Sequence, residues 1–206
     1  MLQEQGSGEV IVIKCETEEV QLLNLATAYV ERIMLMKTLI VFAHTYFSGS
    51  RVNRALLEKA SSVPQVTMRN LTELYGSDTG KIDVPLEQKY LEENDRIIFQ
   101  CPVFWFNLPP MLKAYMDAVF THGWAYGSTG HALQGKTFQL ALSTGSPVQK
   151  YEKPAATIEE LFKPVLYAAQ FVGMNVSRPF VTYGCLGLSD EGLAEAAAAY
   201  GKILQS

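Results

Sequence analysis

Residues Thr38 to Ala43 read TLIVFA, a strand-length run in which apolar side chains do not alternate with polar ones. A strand of that kind must be covered on both faces, which is the situation of a parallel sheet flanked by helices. The chain beyond it repeats the theme. A helix is expected from Val52 to Ala60, a second strand from Val66 to Leu71, and a short helix from Leu86 to Glu93. Arg96 to Gln100 reads as a third strand, Pro110 to Phe120 as its helix, and Lys136 to Ser143 as a fourth strand. Thr157-Ile158-Glu159-Glu160 is a capping box that opens a helix to Val172; Asn175 to Thr182 supplies a fifth strand, and Ser189 caps an Ala-rich last helix. Five strands alternating with five helices predict an α/β fold, a doubly wound parallel sheet with helices on both faces. Right-handed crossovers at this spacing suit the strand order 2-1-3-4-5.

The 206 residues are enough for one domain with a full core, and 48% hydrophobic with 18% charged residues describes a globular chain. A net charge of −4 argues against nucleic acid as the main partner. Cys15, Cys101 and Cys185 are odd in number and widely spaced, so they read as reduced thiols of a cytoplasmic protein. His44, His122 and His131 lack metal-ligand spacing, and no metal is expected. Residues 1–35 stand apart. The run Val10 to Ile13 is too short for a signal peptide and is preceded by Glu4 and Glu9, while Thr17 to Met34 has the pattern of an amphipathic helix. Met36-Lys37 opens the first strong strand, so the first 35 residues are either an added element or sequence upstream of the natural start.

In the order 2-1-3-4-5, ligands sit at the carboxyl ends of strands one, three and four. After strand one comes His44-Thr45-Tyr46-Phe47-Ser48-Gly49-Ser50-Arg51-Val52-Asn53, a small-residue loop that leads into a helix and offers N–H groups to an anion. Ordinary capping by Ser48 or Ser50 explains that loop equally well when it is taken alone. Cys101 to Pro110 follows strand three, and its Phe104-Trp105-Phe106 run reads as a flat apolar wall. Asn107 is placed to cap the next helix, behind paired prolines. After strand four comes Ser143-Thr144-Gly145-Ser146-Pro147, where small residues let the backbone approach a flat ligand. Each turn has a bland reading, but together and in this sequence they describe a flavin site.

Two further motifs sharpen the reading: Thr121-His122-Gly123-Trp124-Ala125-Tyr126-Gly127, and Ala132-Leu133-Gln134-Gly135-Lys136 after it. With them, residues 37 to about 204 resemble the flavodoxin-like NAD(P)H:quinone oxidoreductase family of DT-diaphorase type. The resemblance leans toward the bacterial ancillary oxidoreductases of glutathione-gated potassium efflux systems. It implies a flavin, FMN or FAD, whose phosphate is held by His44 and by Ser50, Arg51, Val52 and Asn53. Pro102, Val103, Phe104, Trp105 and Phe106 would line the ring, and Ser143, Thr144, Gly145 and Ser146 its polar edge. Ser146 stands where the family usually has glycine. Tyr126 and Tyr151 are the candidate catalytic residues, orienting the acceptor.

The implied reaction is a ping-pong cycle with NADH or NADPH as donor and a quinone or similar flat molecule as acceptor. A homodimer with the Trp124–Tyr126 loop near its interface follows from the same resemblance. Two other readings stay open at this point. One is a flavin-binding regulatory subunit of a potassium efflux transporter, peripheral at the inner face of the membrane. The other is a flavodoxin-type electron carrier.

Overall fold

The continuous apolar run becomes β1 (Thr38–Phe42), buried at every position. Its side chains divide by parity: Leu39 and Val41 enter one hydrophobic cluster, and Ile40 and Phe42 the other. This is a computed structural model that describes residues 36–153 and 155–206. Cys15 and the expected helix from Thr17 to Met34 lie outside the described residues. β1 pairs in parallel with β2 (Val66–Asn70) and with β3 (Arg96–Pro102), and β3 pairs with β4 (Thr137–Ser143). The sheet order is β2-β1-β3-β4-β5, the expected 2-1-3-4-5, with β5 at Asn175–Val176.

The fifth strand departs from expectation, because Asn175 to Thr182 is not continuous. β5 pairs with β4 at Thr137 and Phe138, and β6 (Phe180–Thr182) resumes the pairing at Ala141. Ser177, Arg178 and Pro179 thus stand opposite Gln139 and Leu140, one residue too many, which is a bulge. Pro179 has no N–H for the ladder, and the Gln139 side chain donates to the Arg178 carbonyl at 2.9 Å across the gap.

The helices are α1 (Arg51–Ser61), α2 (Leu71–Tyr75), α3 (Val84–Glu92), α4 (Pro110–Val119), α5 (Ile158–Leu161), α6 (Lys163–Phe171) and α7 (Asp190–Leu204). Residues of α1 and α7 pack on one face of the sheet, among them Leu56, Ala60, Tyr200 and Leu204. Those of α3, α4 and α6 pack on the other, among them Leu91, Leu112, Tyr115 and Val165. The helix expected from Thr157 to Val172 is broken at Phe162, because Pro164 removes an N–H and its ring crowds the carbonyl of Glu160. Its capping box is present, with Thr157 and Glu160 bonded reciprocally. Helix α2 adds a turn that the hydrophobic pattern did not announce, capped by Asn70.

Two buried ionic groups brace the layers. Glu87 on α3 is fully buried and accepts from the Arg69 guanidinium at 2.6 Å and from the Tyr75 hydroxyl at 2.6 Å. Arg96, at the start of β3, donates to the carbonyls of Ile203, Leu204 and Ser206 and to the Thr38 hydroxyl. It thereby supplies donors to carbonyl groups at the end of α7 and just beyond it.

Candidate active site

Parallel pairing brings the three singled-out loops to one edge. Pro102 lies beside Ser143 and Ser143 beside Thr182, and the Val103 N–H donates to the Ser143 carbonyl at 2.8 Å. The first loop closes on the second through rings: His44 meets Phe104 edge-on at 5.6 Å, and Tyr46 meets it at 6.0 Å.

His44 is buried, and its Nδ1 accepts the Tyr46 N–H at 3.0 Å. Burial lowers its pKa, so the neutral ring keeps its proton on Nε2 as a donor. Ser50 occupies the N-cap of α1 but does not cap it; its Oγ accepts instead from the Asn53 side chain at 3.1 Å. The N–H groups of Arg51, Val52 and Asn53 consequently donate to no protein group among the described residues. This is the anion-binding form of a helix start. Val52 is buried, so its main chain alone is on offer.

Two residues from the expected phosphate set have other partners. The Arg51 guanidinium is paired with Asp190 at 2.6 Å and bonded to the Leu188 carbonyl at 2.8 Å. The Asn53 amide is buried, donating to Ser50 and, at 2.9 Å, to Ser143 Oγ. Its oxygen accepts from Gln100 at 3.4 Å, and the Gln100 oxygen accepts from the Tyr200 hydroxyl at 3.0 Å. Neither Gln100 nor Tyr200 was singled out in the sequence, although a glutamine inside the apolar run of β3 is an anomaly that a search for buried polar residues would find.

The aromatic segment is a reverse turn and not a wall. Phe104 and Asn107 exchange both main-chain hydrogen bonds, at 3.1 and 3.0 Å, and the two residues between them have φ of 47° (Trp105) and 63° (Phe106). That is the hairpin turn that ordinarily takes Asn-Gly, and each bulky residue held there stores about 1–3 kcal/mol of strain. Phe104 turns inward, whereas Trp105 is 93% and Phe106 55% exposed. The N–H groups of Trp105 and Phe106 have no protein acceptor among the described residues. Asn107 does not cap α4. Its side chain accepts from the Leu108 N–H, and the cap position falls to Pro109 with Pro110 following.

In the third turn the buried Thr144 spends its hydroxyl on the Ser146 carbonyl at 2.7 Å, and its main chain joins Thr182 and Cys185. Gly145 and Ser146 are exposed, and their N–H groups find no protein acceptor among the described residues. A Cβ on Gly145 would lie 3.4 Å from Leu186, a 91% exposed residue that forms a further wall here.

The two tyrosines have different ring partners. Tyr151 is mostly buried, its ring 5.7 Å from Tyr183. Tyr126 is 37% exposed and makes ring contacts with His122 and Phe171. Its loop needs glycine for space: a Cβ on Gly127 would lie 2.6 Å from the His122 ring, and one on Gly130 2.2 Å from the Tyr126 carbonyl. Neither tyrosine hydroxyl has a protein partner among the described residues.

Comparison with known proteins agrees with this geometry. A family model described as the flavodoxin-like fold matches residues 36–204. The uncharacterized NAD(P)H oxidoreductase YdeQ of Bacillus subtilis (strain 168) is 41% identical over 170 residues, covering 81% of this chain and 85% of its own. The general stress protein 14 of Treponema denticola, solved in complex with FMN, superposes with a TM-score of 0.74 at 35% identity, over 82% of this chain and 97% of that one. A protein from P. pentosaceus described as an NADPH-quinone reductase gives a TM-score of 0.74 at 29% identity, over 82% and 98%. With the strand order, the three strand-end loops and the matching of residues 36–204 in agreement, this chain belongs to the flavodoxin-like fold family.

Proposed function

We propose that the chain is an FMN-dependent NAD(P)H oxidoreductase that reduces quinones or similar flat acceptors by two-electron transfer. The observation that carries this reading is the grouping of unpaired main-chain N–H donors at the carboxyl ends of β1, β3 and β4. They match a ligand with a phosphate at one end and a flat, polar-edged ring at the other. FMN is favoured over FAD by the relative solved with FMN. FMN, when bound, would supply the redox chemistry, a two-electron transfer from NADH or NADPH to the acceptor.

The uncapped start of α1 holds the phosphate, assisted by the Ser50 hydroxyl and by His44 Nε2–H. Asn53 supports this set from below, and Arg51, tied to Asp190, shapes it. The N–H groups of Gly145 and Ser146 stabilise negative charge at the ring edge without reorganising. Pro102, Val103 and the Phe104–Phe106 turn close the other side, with Trp105 and Phe106 offering stacking surface to the acceptor. The free hydroxyls of Tyr126 and Tyr151 orient the acceptor oxygen by hydrogen bonds.

Among the described residues the ring contacts of Tyr126 are with His122 and Phe171 and not with these loops, which favours its presentation by a second copy. The neighbouring Tyr167 and Phe171, 64% and 65% exposed, extend an apolar surface that a homodimer would cover. A nicotinamide donor and the free cysteines Cys101 and Cys185 support a cytoplasmic setting.

Stopped-flow measurement of the two half-reactions tests the assignment. Tyr126→Phe and Tyr151→Phe should slow electron transfer to a quinone about tenfold or more while leaving reduction by NAD(P)H largely intact. Absence of NAD(P)H-driven quinone reduction by the FMN-loaded protein would contradict the reading.

A further inference from the structure

A hydroxyl has one hydrogen to give and two lone pairs with which to accept. At the start of α1, which hydroxyl gives and which accepts is decided by a buried chain of side chains running away from the site. Tyr200 donates its O–H to Gln100 Oε1 at 3.0 Å; Gln100 Nε2 donates to Asn53 Oδ1 at 3.4 Å; Asn53 Nδ2 donates to Ser50 Oγ at 3.1 Å and to Ser143 Oγ at 2.9 Å. Every link points the same way. Tyr200 and Gln100 are fully buried, and Asn53 is 1% exposed, so water does not intrude on the sequence of donors.

We propose that Tyr200 and Gln100 are positioning residues for phosphate binding: through Asn53 they hold the Ser50 hydroxyl as an outward donor and keep α1 uncapped. The inference rests on the phosphate reading of this helix start given above. Asn53 is the third residue of α1, whose backbone N–H an N-cap serine ordinarily takes. Here the side-chain amide of Asn53 occupies the Ser50 oxygen instead, which leaves the backbone N–H groups of the first turn and the Ser50 proton for a ligand. Were the Asn53 amide reversed, its oxygen would face both serines and Ser50 would donate inward. Gln100 prevents the reversal by donating to Asn53 Oδ1, and the Tyr200 hydroxyl fixes the sense of Gln100. Among the described residues Tyr200 has no second acceptor for its proton, and its ring stacks on Phe180 at 5.1 Å.

Equilibrium titration with FMN and with riboflavin, which lacks the phosphate, tests this without recourse to turnover. Wild-type protein should prefer FMN, and Tyr200→Phe should lower the FMN-to-riboflavin affinity ratio about tenfold by disabling one charge-assisted donor. Ser50→Ala should produce a similar loss, and the double variant Ser50→Ala/Tyr200→Phe no further loss, because both act on one hydroxyl. If Tyr200→Phe fails to fold, Tyr200→Phe combined with Gln100→Leu replaces both partners by apolar groups and serves in its place. An unchanged ratio in a folded Tyr200 variant, an equal weakening of both ligands, or additive losses would overturn the inference. A wild-type protein that binds FMN no better than riboflavin would instead overturn the phosphate reading on which it stands.

Discussion

Trp105 and Phe106 show best how single residues carry the account. Both lie in left-handed backbone that asparagine and glycine occupy without strain, and Trp105 buries almost nothing in return. Replacing the pair by Asn-Gly should raise unfolding stability by about 1–2 kcal/mol in urea melts while quinone turnover falls, since the stacking surface is gone. A stability loss would mean that the rings hold the fold, not the acceptor. His44 gives a pH-dependent test. Burial lowers its folded pKa below the unfolded value of about 6.5, so below pH 6.5 the unfolded chain takes up the proton first. Stability should be level above that pH, fall beneath it and level again below the folded pKa; melts of His44→Asn should lack this component. The His44–Asn53, Pro102–Phe106 and Ser143–Ser146 motifs could be assigned to strand ends from the sequence, but the orientations of their side chains could not. Arg51 turns to Asp190, 139 residues away, and Asn53 to Ser143, 90 away, and no local pattern encodes such partners.

At the scale of elements, β1, β3 and β4 were legible because strands buried on both faces need apolar runs. Breaks within elements were not. Both Pro179 in the fifth strand and Pro164 in the α5–α6 segment stood in plain view, yet hydrophobic pattern runs through each and only the missing N–H interrupts the ladder. The end of α7 offers an energetic test, because one buried guanidinium serves the carbonyl groups of Ile203, Leu204 and, just beyond the helix, Ser206. Arg96→Met should destabilise the fold by about 3 kcal/mol in equilibrium urea unfolding, through carbonyls left without donors. A change below about 0.5 kcal/mol, the level of an ordinary surface substitution, would show that water replaces the guanidinium there.

At the largest scale, the doubly wound order places three loops, far apart in sequence, on one rim, at the point where the strand order reverses between β1 and β3. The exposed Tyr126, Tyr167 and Phe171 surface extends the account beyond one chain. Sedimentation at micromolar concentration should show a dimer, and a monomer alone would contradict that part. The central claim, that this rim holds FMN, is tested most directly by calorimetric titration of the purified protein stripped of ligand. The predicted result is saturable binding of one FMN per chain, accompanied by a rise in thermal midpoint; at a free concentration one hundred times Kd, the added stability is about 2.7 kcal/mol. No heat of binding at any temperature tried, with a thermal midpoint indifferent to saturating FMN, would contradict it.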